Sequence, residues 1–339
     1  MSKIRYSNFE LLRILAMLLI VTHHYSVHGD WYFESGVSFN KLYIQSLSIG
    51  GKVGVNLFVL ISAFFLSKQN NLNIKDSVIK IITPVYFYSL TIACILFFFK
   101  DISIKEIIKS LIPVGYWFVN AFLLMVIFSP FINIIVENIQ QKTHLIIITI
   151  STIILNIPIL NIEIGNFGFF VYLYFISAYI KKYLADFKFN NLLLNLIIIL
   201  SVSAVFISIL LLDYLSLKNI SFNHPLYFIK ERSIFIIIIS ISLFILFKQM
   251  KITKSEFINL LASTTFGIYL IHDNYLIRSF IWNDLLKVTQ YFNSNLIYIM
   301  SILSILLVFF ICSLIELLRR FLFKLICVSL NFNKNKLSI

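Results

Sequence analysis

The feature that most constrains this chain is a succession of long, almost unbroken apolar runs. The stretch at 191–213 begins Asn-Leu-Leu-Leu-Asn-Leu-Ile-Ile-Ile-Leu, and runs of the same character recur along the chain. About 20 apolar residues make a helix long enough to cross the roughly 30 Å hydrocarbon core of a bilayer. Inside lipid no water satisfies the backbone, so only helices and closed barrels span it. Barrel strands alternate apolar and polar residues over about ten positions, whereas these runs are continuous. The fold class is therefore all-α, a polytopic membrane bundle of about ten helices. The runs lie near 9–27, 52–68, 78–99, 113–136, 143–160, 166–184, 191–213, 228–247, 257–277 and 295–317. The second is the shortest, and the ninth is interrupted by Gly267 and three polar residues.

Composition agrees. Of 339 residues 60% are hydrophobic and only 13% charged, which excludes an ordinary soluble domain and a disordered chain. Ten spans would use about 200 residues, leaving short loops and one membrane-embedded domain over 1–339. The net charge of +13 sits in small groups between apolar runs rather than in one patch, so it reads as a topology signal and not as a nucleic-acid surface. With the N-terminus placed in the cytoplasm, 17 basic residues fall on the inside and 10 outside, which predicts both termini cytoplasmic in a multi-pass protein of the cell membrane. The first run carries Glu10, Arg13, His23 and His24 and lacks a small-residue cleavage site, so it is expected to be a retained helix and not a signal peptide. Cys94, Cys312 and Cys327 show neither pairing nor metal spacing and read as packing residues.

Ionisable residues inside a membrane span are costly and point to function. Glu10 and Arg13 are three apart and pair on one helix face. Arg13 and His24 are eleven apart, about three turns, so they share a face at a separation of about 16 Å. His23 is turned about 100° away from that face. His272, 15 residues past Phe257, should lie at the depth of His24, 15 past Phe9. Tyr116-Trp117-Phe118 falls in the same layer. Blander readings exist for each: Arg13 snorkelling to headgroups, Trp117 in an interfacial aromatic belt, and His272-Asp273 as a helix end meeting water.

In sequence order, four motifs now accumulate. Phe9-Glu10-Leu11-Leu12-Arg13-Ile14-Leu15-Ala16 is followed, after ten residues intervening from Arg13, by His24. Gly54-Val55-Asn56-Leu57-Phe58-Val59-Leu60-Ile61-Ser62-Ala63-Phe64-Phe65-Leu66 comes next, and Tyr116-Trp117-Phe118 and Phe266-Gly267-Ile268-Tyr269-Leu270-Ile271-His272 follow. Together they resemble the acyltransferase-3 family of integral membrane acyltransferases, in particular the O-acetyltransferases of bacterial surface polysaccharides. Ser62-Ala63 stands where relatives usually have Ser-Gly, and Lys80 alone precedes Pro84 where many carry a fuller basic pattern.

The resemblance implies transfer of an acyl group, expected to be acetyl, from cytoplasmic acyl-CoA to a hydroxyl of a surface or lipid-linked glycan. His24 would be the base or a transient acyl carrier, and Arg13 would hold a phosphate or the thioester carbonyl. Glu10, Ser62, Trp117, Tyr269 and His272 are the expected supporting residues. Acyl-CoA, the glycan, the bilayer and glycan-assembly proteins are the expected partners, with no metal and no nucleic acid. An exporter that moves a glycan without acylating it is the competing reading. It calls for charges spread over many helices, whereas here they concentrate in the first and ninth runs. Lys230-Glu231-Arg232, at the start of the eighth, reads as a solvated helix end.

Overall fold

The first apolar run forms α1 (Ser7–His28), and α2 (Phe39–Leu66) returns beside it antiparallel. The pairing order fixes the direction: Ser26 Oγ donates to the Ile44 carbonyl (2.6 Å), His23 meets Ser48, and Phe9 packs on Phe64 and Phe65. This is a computed structural model. It describes residues 6–34, 36–67, 73–99, 108, 115–157, 164–218 and 227–336, with side chains to 325. The other α-helices are α3 (Ile74–Phe99), α4 (Trp117–Asn138), α5 (Gln141–Asn156), α6 (Gly165–Tyr183), α7 (Asn191–Leu217), α8 (Ile234–Gln249), α9 (Glu256–Ser263), α10 (Thr265–His272) and α11 (Leu296–Lys336). Among the described residues there are no strands. Among the described residues six helices, α1 to α4, α7 and α11, are long and apolar enough to cross a membrane.

α1 and α2 form the centre. α8, α9, α10 and α11 pack on α1, while α6, α7 and α8 pack on α2. Hence the face of α1 that carries Glu10 and His24 is buried against protein. Ile199, Leu200 and Ile207 of α7 and Leu303, Ile311 and Leu314 of α11 stay exposed. On a soluble protein such surfaces would drive association; here they are the faces offered to hydrocarbon.

Three boundaries differ from expectation for physical reasons. α2 begins 13 residues before the expected 52, because its polar first turns are paired inside the protein. Lys41 Nζ lies 3.2 Å from Asp213 Oδ1 of α7, and Gln45 donates to the same oxygen at 3.3 Å. A hydropathy pattern reads those residues as loop because it cannot see their partners. The ninth run breaks at Thr264, one of its interrupting polar residues, whose hydroxyl bonds Ser313 at 2.8 Å, while Gly267 lies within α10 and interrupts nothing. The eighth run opens with a short 3-10 turn at Tyr227–Ile229 and becomes α-helical only at Ile234, so Lys230-Glu231-Arg232 is a non-helical turn.

Candidate active site

The site starts from glycines. Gly50 and Gly54, one turn apart on α2, form a small-residue face that lets the α1 backbone approach closely. A Cβ added at Gly50 would meet the Leu19 carbonyl oxygen at 2.9 Å, and one at Gly54 would meet that of Ala16 at 2.5 Å. At Gly51 the added atom would lie 2.3 Å from the His23 side chain. This contact fits the His23 ring against α2, where its Nδ1 donates to the Ser48 carbonyl at 2.9 Å. α1 is thereby pinned to α2 at the level of its two adjacent histidines.

His24 points the other way, toward α10. Its Nδ1 lies 2.8 Å from His272 Nε2, and His272 Nδ1 lies 2.6 Å from the Ile268 carbonyl. A carbonyl only accepts, so His272 Nδ1 carries a proton. With both rings neutral, His272 Nε2 is the acceptor, His24 Nδ1 the donor, and the lone pair of His24 is on Nε2. Asp273 Oδ1 stands 3.7 Å from that nitrogen, 3.2 Å from His28 Nε2 and 3.8 Å from Arg278 Nη1. A carboxylate at the C-terminal end of a helix opposes the helix dipole. The histidines and Arg278 offset that cost. The next residue, Asn274, donates to the Tyr116 hydroxyl at 2.7 Å, which donates in turn to the Leu270 carbonyl at 2.7 Å. The end of α10 is thus tied to the start of α4.

His24 opens onto a cavity of about 290 Å3 among α1, α2, α4, α6 and α10. Met17, Ile20, Phe58, Trp117, Phe266 and Tyr269 supply apolar wall, and His23, His24, Lys52, Asn166 and Glu231 supply polar groups. Lys52 Nζ lies 3.4 Å from Glu231 Oε2, and buried Asn56 donates to the Glu231 backbone carbonyl at 3.0 Å. An apolar pocket with a few convergent polar groups is the usual form of a small-molecule site. The arrangement can deprotonate a hydroxyl at His24 Nε2 and stabilise the resulting imidazolium with Asp273.

The expected residues separate into two groups. His24, His272, Trp117 and Tyr269 come together, with Tyr116 and Phe118 packed on Tyr269 at ring separations of 5.7 and 5.6 Å. His272 and Asp273 are buried, so they are not a helix end in water. Arg13 lies below the cavity on the same helical face, beyond Ile20 and Met17. It donates to Glu10 at 2.8 Å, as the spacing required, and its guanidinium lies 5.9 Å from the Phe65 ring centre. Ser62, one turn beyond Phe58 on α2, is half-buried and outside the cavity wall.

One expectation is corrected and one finding is added. His23, rotated from the His24 face, also lines the cavity, because the pocket wraps around the α1–α2 seam. Glu231 is not in a solvated helix end: its turn folds over α2 and puts the carboxylate in the cavity wall against Lys52. Sequence reasoning also passed over His28, Asn56 and Gly51. The i, i+4 spacing of His24 and His28 was the available signal for the first. Nothing local marks Asn56, whose partner is 175 positions away.

Comparison with known proteins agrees with this architecture. No curated protein and no solved structure matches the chain. The family model described as an acyltransferase domain, that of the acyltransferase-3 family, matches residues 6–315, from the start of α1 into α11 and including every residue of the histidine network. The chain belongs to the acyltransferase-3 family and is a membrane acyltransferase, a transferase of groups other than aminoacyl groups.

Proposed function

We propose that the protein moves an acetyl group from cytoplasmic acyl-CoA to a hydroxyl of a surface or lipid-linked glycan, with His24 as general base. One observation carries this reading: a histidine whose Nδ1 is engaged by His272, so that its lone pair is on Nε2, lines the pocket and has a carboxylate 3.7 Å from that nitrogen. Its imidazole takes the acceptor hydroxyl proton as the oxygen attacks the thioester carbonyl. The C–S bond breaks, and the imidazolium returns the proton to the departing thiolate. The products are an ester and a free thiol. General-base catalysis of this kind contributes roughly a hundred- to ten-thousand-fold.

The cavity's size supports small-group transfer: about 290 Å3 suits an acyl group and part of one sugar, not the passage of an oligosaccharide. Family membership sets aside the exporter that lacks acyl transfer. Arg13, on the His24 face about 16 Å toward the other end of α1, is the donor-side cation, oriented by Glu10. The deciding measurement is analysis of surface glycans for alkali-labile acyl esters in cells with and without the gene. Loss of one ester supports the reading, and unchanged esters in the deletion refute it.

A further inference from the structure

The residue that serves as base also belongs to a group able to hold a metal ion. His24 and His28 lie four apart on α1, so one helical turn presents both rings on the same face. Asp273, from the end of α10, comes between them. One ligand atom from each of His24, His28 and Asp273 lies within 4.8 Å of the other two. Two of the separations are 3.7 and 3.2 Å, His24 to Asp273 and His28 to Asp273. A tetrahedral zinc ion with bonds of about 2.0–2.1 Å spaces its ligands about 3.3 Å apart. The group is close to that geometry before any ion enters. The outer shell is built too. His24 Nδ1 is held by His272, whose far nitrogen is held by the Ile268 carbonyl, and this leaves Nε2 as the coordinating atom. The fourth position is left for water or an acceptor oxygen.

We infer that His24, His28 and Asp273 form a zinc site that switches the enzyme off. Two imidazoles with one carboxylate select zinc over magnesium or calcium, which prefer oxygen donors. Coordination occupies the lone pair of His24 Nε2, so a zinc-loaded enzyme has no base. Coordination through His28 Nε2 leaves the ring's proton on Nδ1. Arg278, 3.8 Å from the Asp273 oxygen and 41% exposed, is the competing cation and swings toward solvent.

The binding part stands without the proposed function; the inhibition part rests on it. Two measurements keep them apart. Equilibrium dialysis of zinc against the purified full chain, with neither donor nor acceptor present, should give one ion per chain. His28→Gln and Asp273→Asn should each weaken binding at least tenfold. His28→Cys, which restores a ligand atom, should recover it, and Arg278→Ala should tighten it several-fold by removing the competing charge. Magnesium and calcium should not compete. Acyl transfer, scaled to each variant's own zinc-free rate, should need at least ten times more zinc for half-inhibition in His28→Gln. The site is overturned if binding persists in both His28→Gln and Asp273→Asn, or if His23→Gln abolishes it while they do not. One bound ion with undiminished acyl transfer overturns the switch alone.

Discussion

At the scale of single residues, the chemistry turns on which nitrogen of which histidine is free. His24 and His23 are adjacent and line one cavity, yet their rings are anchored oppositely, His24 to His272 and His23 to the Ser48 carbonyl. Of these two, His24 has a carboxylate 3.7 Å from its Nε2 to balance the charge that proton uptake creates. His24→Gln should therefore reduce acyl transfer at least a hundredfold with normal membrane accumulation. His23→Gln, which keeps a group able to bond Ser48, should lose less than tenfold. Equal losses in the two variants would count against a specific base. Arg13 separates two roles by the same logic. Lysine preserves the charge and also reaches headgroups, but it lacks the planar fork that grips phosphate or carbonyl oxygens at two points. If Arg13 serves the donor, Arg13→Lys loses most activity while insertion is intact, with the loss expressed mainly in KM for acyl-CoA. A fully active lysine variant would reduce Arg13 to an interfacial charge. Arg13, Glu10, His24 and His272 were legible in the sequence because charge inside an apolar run is conspicuous and helical spacing fixes its face. Lys52 and Glu231 were not: each sits at a boundary where hydropathy expects a charge anyway, and their meeting depends on a turn folding across another helix.

At the scale of elements, catalysis depends on two close helix contacts made by glycine. Gly54 admits the Ala16 carbonyl of α1, and Gly267 of α10 admits the Glu316 carboxylate of α11, which an added Cβ would meet at 2.5 Å. Glu316 cannot easily give way. It is buried, accepts from Tyr88 at 2.6 Å, and is bonded by both Arg319 and Arg320. A side chain at position 267 must instead push α10 sideways, and α10 carries His272. Gly267→Ala should thus cost activity beyond its cost in stability, since overpacking costs about 1–3 kcal/mol while a displacement of about 1 Å in a reacting group costs about a hundredfold. Detergent-solubilised thermal melts and initial rates on one preparation test this. A variant that melts lower but keeps its rate would show that α10 tolerates the shift. The ten apolar runs anticipated these helices well, since continuous apolar stretches are unambiguous. The ninth run breaks at its polar residues, as expected, but Gly267, read as part of the interruption, is a packing surface within α10.

At the scale of the whole molecule, the lysines grouped at the Glu10 end of the bundle do more than bias topology. Lys181 donates to the Phe64 and Ser67 carbonyls at the end of α2. Lys182 donates to those of Val136 and Glu137 at the end of α4, at 2.7 and 3.1 Å, and Lys248 reaches Leu184 and Ala185 just past α6, at 2.8 and 2.6 Å. α2, α4 and α6 all run toward this face, so their unpaired carbonyls and negative dipole ends gather there, and cations placed beside them are favourable. The basic bias of the sequence and the helix ends of the fold therefore select the same side. Basic residues near span ends are retained in the cytoplasm, so the Glu10 end should be the inner face, with the histidine network in the outer half of the membrane. In intact cells, Asn335→Cys in a background lacking the three native cysteines should not react with an impermeant thiol reagent and should react once the cells are opened. Asn293→Cys, between a 3-10 turn at Val288–Tyr291 and α11 at the opposite end, should react in intact cells. The reverse pattern would put His24 on the cytoplasmic half and bring Arg13 to the outside, where no acyl-CoA is available, and would remove the case for Arg13 as the donor-side cation.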